Sequence, residues 1–388
     1  MRSFYAGLAG SVTSVIAPSV PAAVAGDYNA PMKTWDVIIV GGGIIGLSLA
    51  IALRKRGARV LVVERGKPGR EASHAAGGML VDFFAETPEP LQPLASASAR
   101  MYPEFAHELE VESGMKVDLR DQGTIVFPLP DAARTVGLTC ARLSAEWFEK
   151  NEPALDDGQR QWPAFYLKER SVDPRALTAA ALKTAINRGV DFSSGDAVTA
   201  LMFSDGQVRG VTTTKTSFLA SRVVNCAGAW SAQIASGQIS PFPTRPVKGQ
   251  MLCLVMPHRE LLRHVIRSPQ VYLIPRSDGR LLVGATVEEA GFDKRTDPAI
   301  IQRLHQAALR LVPQLKDARI LEDWAGLRPG TPDDLPILGP TATPGYYVAT
   351  GHFRDGILLT PITAQVMAEV IEGGQPEHDL TPFSPSRF

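Results

Sequence analysis

Arg328 stands in the run Trp324-Ala325-Gly326-Leu327-Arg328-Pro329-Gly330-Thr331, among Leu, Pro and Gly, where a guanidinium serving only solvent would have little reason to be. Its planar fork suits a carboxylate. Tyr272 is the polar exception in the apolar run Val271 to Pro275. It either buries its ring and satisfies its hydroxyl locally, or offers that hydroxyl to a ligand. A different chemistry is signalled by Gly41-Gly42-Gly43-Ile44-Ile45-Gly46. Gly41 permits a tight turn, Gly43 lets the backbone approach a pyrophosphate, and Gly46 lets a helix pack close to a strand. Glu64, about twenty residues on, is a carboxylate suited to an adenosine ribose. No acid/base pair has an evident catalytic spacing, and His74, alone beside alanines, carries little signal.

These groups need a frame. Asp36 to Val40, the glycine turn, an apolar segment to Arg56, Gly57, and Val60 to Glu64 read as strand, turn, helix, helix-ending glycine and strand. Phosphates would sit at the first amides of that helix, which have no partner within it. Glu71 to Leu80 is a row of small residues against which a flat ring or a pyrophosphate could lie, or simply a glycine loop. Ala95 to Ser113 reads as helix and Gly123 to Phe127 as strand, while Asp173 and Pro174 cap and open a helix that Gly189 ends. Ala197 to Leu201 and Val208 to Thr212 form a hairpin, and Arg222 to Trp230 is a buried strand ending in a small-residue turn around Gly228, suited to an adenine dinucleotide. Strands Gly249 to Val255, Val271 to Pro275 and Leu281 to Thr286 follow, joined partly through Ser277-Asp278-Gly279. After a strand at Tyr346 to Ala349, Gly351 to Leu359 leads into a helix running to about Glu372. Its opening at Gly356-Ile357 offers free amides and positive potential for the charge of a reduced isoalloxazine.

The expected fold is α/β, α+β overall: a Rossmann-like dinucleotide domain built from discontinuous segments (32–82, 166–240 and 323–388) and a substrate domain (83–165 and 241–322) with a mostly antiparallel sheet. The 388 residues are ample for two such domains. Forty basic residues balance forty acidic ones, which excludes a strong pull towards nucleic acid or an anionic membrane. No run is long and apolar enough to span a bilayer. Residues 1–31 imitate a weak secretory signal, but Pro18 and Pro21 interrupt them, so a disordered leader, or an upstream start codon with Met32 as the true start, and a cytoplasmic location are expected. Cys140, Cys226 and Cys253 have no metal-ligand spacing and read as bland thiols, with no metal expected.

From about Trp35 to Glu372 the chain is similar to the amino-acid oxidases of the D-amino-acid oxidase superfamily, within it most to the glycine oxidase family. Seven blocks in family order carry the resemblance: 41–46, 75–80, 247–249, 272–276, 283–286, 324–331 and 351–358. It implies non-covalent FAD held by Ile44, Ile45, Glu64, Arg65, Ala72, Ser73, Gly77, Gly78, Met79 and Val198. His352, Phe353, Arg354, Asp355, Gly356, Ile357 and Leu358 are further implied contacts. Arg328 would grip the substrate carboxylate with help from Tyr272, and Arg354 would lie at the substrate edge of the flavin. Met79 and Val287 would face the substrate. Val287 stands where the pattern can have a methionine, and Gln270 where it can have a histidine, which affects the preferred side chain and not the reaction. The implied reaction is hydride transfer from the α-carbon to flavin N5, hydrolysis of the imine, and reoxidation by oxygen to hydrogen peroxide. The resemblance also permits supply of glycine imine to the thiazole branch of thiamine synthesis, and a homo-oligomer, commonly a tetramer. Rivals are a sarcosine oxidase, a quinone-linked D-amino-acid dehydrogenase, and a non-catalytic flavin-binding protein.

Overall fold

The computed structural model describes residues 34–82, 87–129, 140, 142–234 and 240–388, so the expected leader lies outside the described residues. The chain runs through β1 (Thr34–Val40), α1 (Ile44–Lys55), β2 (Val60–Glu64), α2 (Ala72–Ala75), β3 (Met79–Leu80), α3 (Gln92–Ser113), β4 (Leu119–Arg120) and β5 (Thr124–Val126). It continues as α4 (Ala145–Asn151), α5 (Asp157–Arg160), β6 (Phe165–Leu167), β7 (Arg170–Val172), α6 (Pro174–Asn187), β8 (Asp191–Ser194), β9 (Val198–Ser204), β10 (Gln207–Thr213) and β11 (Ser217–Asn225). The remainder is β12 (Arg245–Val255), β13 (Val265–Arg267), β14 (Tyr272–Pro275), β15 (Arg280–Gly284), α7 (Pro298–Leu311), β16 (Arg319–Gly330), β17 (Ile337–Pro340), β18 (Tyr346–Thr350) and α8 (Thr360–Ile371).

The larger sheet has the order β17-β18-β11-β1-β2-β8, with β10 and β9 attached beyond β11. Every pair from β18 to β8 is parallel. β1 is therefore apolar on both faces, Ile38 and Ile39 being wholly buried, as a strand covered on two sides requires. One face packs on α1, α3, α6 and α8. α3, expected with the second domain, belongs here instead: Ser98 donates to the Leu358 carbonyl at 2.6 Å, and the Tyr102 hydroxyl donates to that of Ile357.

The second sheet has the order β16-β12-β15-β14-β13-β5-β6 and is antiparallel except between β13 and β5. α7 packs on it through Leu304, Ala307, Ala308 and Leu311. β16 pairs with β12 along its length, from Gly330 opposite Arg245 to Arg319 opposite Val255. Arg328 thus belongs to the second sheet, although 323–388 was expected in the dinucleotide domain. An end strand tolerates Pro329, which lacks a ladder donor. α8 also starts later than expected, at Thr360. Residues 355–359 form turns, with Leu359 donating to the Asp355 carbonyl and Thr360 to that of Ile357. Among the described residues no helix is long and apolar enough to cross a membrane.

Candidate active site

β1 feeds β2 on one side and neighbours β11 on the other, so the order of strands reverses at β1. Ligands of open α/β sheets bind at such a reversal, beyond the carboxyl ends of the strands. Gly41, Glu64 and Cys226, at the ends of β1, β2 and β11, line a cavity of about 590 Å³ whose opposite wall is the second sheet.

The glycines of the first turn divide the work as their spacing implies. Gly41 has φ +109°, and a Cβ there would overlap the Cys226 carbonyl. A Cβ on Gly46 would overlap the Gly41 carbonyl, so no other residue lets α1 lie this close. Gly43 differs: its backbone is extended, and a Cβ would meet only Ser73 Oγ, at 3.4 Å. The space it leaves therefore belongs to the cavity, which Gly43, Ile44 and Ile45 line. The buried Glu64 carboxylate accepts from the amides of Gly42 at 2.8 Å and Gly66 at 2.9 Å. Those two bonds aim it across the turn.

Around this end lie Arg65, Ala72, Ser73, Gly77, Gly78, Met79, Val198 and Gly228. Ser73 Oγ accepts from the Ile44 amide at 2.9 Å, tying α2 to the glycine turn. The Arg65 guanidinium lies 3.5 Å from the centre of the Trp230 ring and pairs with Glu71 at 2.8 Å. Gly78 has φ +77° and faces the Val172 carbonyl too closely for any side chain. Arg276, wholly buried, donates to the Gly77 carbonyl at 2.5 Å, and burial pushes its pKa down to about 10.

His352, Phe353, Arg354, Asp355, Gly356 and Ile357 line the cavity, and Leu358 does not. Its side chain is only 1% exposed in the core behind the sheet, because the turn after Gly356 swings it inward. His352 Nε2 is 3.1 Å from Thr363 Oγ1. Burial pushes its pKa down to about 3, so the ring is neutral.

The second sheet presents a row in register: Trp324, Met251, Gly284, Tyr272, Arg267 and Val126. Gly284 is a floor for the Tyr272 ring, whose Cε2 would be 2.9 Å from a Cβ there. Gly249 does the same for Arg328, since a Cβ would overlap the guanidinium. Arg328 Nη1 donates to the carbonyls of Thr286 at 3.1 Å and Lys248 at 3.4 Å, and Arg328 lines the cavity together with Tyr272 and Arg354, whose charges it feels. Burial lowers the Arg328 pKa, an effect opposed by the Tyr272 hydroxyl beside it. Burial also raises that of Tyr272, opposed by Arg328 and Arg354, so the hydroxyl stays a donor at neutral pH. Val287 sits at the rim, 60% exposed. The sequence did not reveal what Gly249 and Gly284 do, because a glycine in a strand does not show which side chain lies over it.

The N-terminus of α1 at the glycine turn, a carboxylate fixed at the end of β2 and a Gly43 whose missing side chain leaves space to the cavity together fit an extended adenine dinucleotide. A family model described as FAD dependent oxidoreductase matches residues 36–370. The chain belongs to that family. This FAD-dependent oxidoreductase is 31% identical over 362 residues to a glycine oxidase of Pseudomonas putida, covering 90% of the chain and 98% of the relative. It is 37% identical over 369 residues to a bifunctional protein ThiO/ThiG of Trichormus variabilis, covering 92% of the chain and 55% of that protein. The chain thus spans about half the length of the bifunctional relatives. The crystal structure of glycine oxidase from Geobacillus kaustophilus superposes with a TM-score of 0.85 at 32% identity, covering 92% of this chain and 99% of that one. The superfamily and fold expected from the seven sequence blocks are those found.

Proposed function

We propose that this oxidoreductase deaminates glycine and other small amines or D-amino acids at the cavity between the two sheets. The observation that carries the proposal is the pair Arg328 and Tyr272, laid over Gly249 and Gly284 on the wall facing the Gly43 turn. A guanidinium and a protonated phenol at one end of a largely apolar cavity suit one carboxylate. Held there, the amino acid presents its α-carbon towards the cavity space bounded by Met79 and Arg354. Bound FAD supplies the hydride acceptor and passes the electrons to oxygen, giving hydrogen peroxide. As the α-hydrogen leaves, the amine lone pair forms the C=N bond, and water then converts the imine to the oxo acid and ammonia. An amine that binds neutral needs no strong base, in keeping with the neutral His352.

In this account the larger sheet with its helices is the FAD-binding part, and the second sheet is the substrate part. The likeness to bifunctional ThiO/ThiG proteins supports a role for the glycine imine in forming the thiamine thiazole. We place the enzyme in the cytoplasm as a homo-oligomer, a tetramer by family likeness.

Arg328→Ala tests the assignment. Truncating one partner of a buried charge pair costs about 2–5 kcal/mol, so kcat/KM for glycine falls by about 30- to 5000-fold, mostly through KM, with the flavin spectrum retained. Glycine kinetics like those of the unaltered enzyme would remove Arg328 from the site.

A further inference from the structure

A second arginine on the substrate wall has no part in the reaction as described. Arg267 of β13 is in register with Tyr272 of β14, and both line the cavity from the same face of the sheet. It lies on the side of Tyr272 away from Arg328, since β13 follows β14 while β16 is at the other end of the sheet. Val126, Phe127 and Leu129 line this end together with the uncharged polar residues Ser268 and Gln270.

The guanidinium is held by a buried carboxylate. Glu169, in the link between β6 and β7, has its Oε1 3.6 Å from Arg267 Nη1, and their side chains are 4% and 11% exposed. Neither Glu169 oxygen makes a hydrogen bond among the described residues. Burial raises the Glu169 pKa, an effect opposed by Arg267 beside it. An ion pair in so dry a place carries a large desolvation cost that loose geometry recovers poorly. Of the two, Arg267 lines the cavity, a placement that tying β13 to the β6–β7 link does not require.

We propose that Arg267 is a second anion subsite, selecting amine substrates that carry an acidic group besides the α-carboxylate, such as N-carboxymethyl amines and short acidic amino acids. Glu169 is its positioning residue. The proposal rests on Arg328 holding the α-carboxylate, so that the second acid reaches past Tyr272 to Arg267.

The test compares kcat/KM of the holoenzyme for iminodiacetate, which has two carboxylates, with that for sarcosine, in which a methyl replaces one carboxymethyl group. Iminodiacetate is expected to be preferred. Arg267→Met lowers the ratio of iminodiacetate to sarcosine by roughly 30-fold or more, mainly through KM for the diacid. Arg267→Lys keeps part of the preference, and Glu169→Gln increases it. Flavin absorbance reports folding in each variant, and the preference of the unaltered enzyme stands as evidence without any variant. Oxidation of sarcosine with no preference for the diacid, or a ratio unmoved in Arg267→Met, overturns this proposal alone. Failure of the unaltered enzyme on glycine, sarcosine and iminodiacetate alike overturns the Arg328 assignment and this proposal with it.

Discussion

Arg328 stood out in the sequence because its neighbours Leu327, Pro329 and Gly330 offer a charge nothing to pair with. The glycines that make room for it and for Tyr272 were legible only as family motif, because strands distant in the chain bring them together. Leu358 shows the opposite limit: next to Ile357 in the chain, it is turned away from the cavity by one turn of backbone. His352 yields a prediction at this scale. Its folded pKa, pushed down to about 3, lies below the ordinary histidine value of 6.5. The unfolded chain therefore takes up a proton below about pH 6.5 that the folded chain refuses until about pH 3. The stability His352 confers is complete above pH 6.5 and is lost as pH falls, at up to about 1.4 kcal/mol per pH unit. Urea unfolding at pH 7, 6 and 5 should show a steeper decline for the unaltered protein than for His352→Asn. Equal slopes would mean the ring is not buried neutral.

At the scale of elements, strand-turn-helix-strand from Thr34 to Glu64 was readable because each local signal agreed: β-branched runs, a glycine turn and a glycine after the helix. The capped start of α6 was equally plain, with Asp173 accepting from the Arg175 and Ala176 amides. α7 opens in the same way at Asp297-Pro298, a signal present in the sequence and passed over. β16 was hidden for a physical reason, since its Gly and Pro residues argue against a strand and only pairing with β12 makes it one. The first turn carries the prediction here. A side chain at Gly43 meets no protein backbone and suits the extended conformation there. Gly43→Val should fold with near-native circular dichroism and elute colourless, because the valine occupies the pyrophosphate's space. A fully yellow variant would place the dinucleotide elsewhere.

For the whole molecule, the two sheets divide the task, one wall offering helix amides and glycines and the other a carboxylate anchor. The alternation of strand and helix signals indicated both sheets, but their boundaries in the chain depended on long-range pairing, which moved α3 and β16 across the expected division. Cys226 lines the cavity, but burial pushes its thiol pKa far up, and a protonated thiol is a poor nucleophile. Acid precipitation should then leave all flavin in the supernatant, whereas a yellow pellet would reveal a covalent bond. The most direct test of the central claim is anaerobic mixing of the yellow holoenzyme with glycine, followed at the flavin absorbance band. The account predicts bleaching that saturates with glycine and, on admitting air, return of colour with hydrogen peroxide. A flavin that stays oxidised with glycine, sarcosine and D-alanine would contradict it.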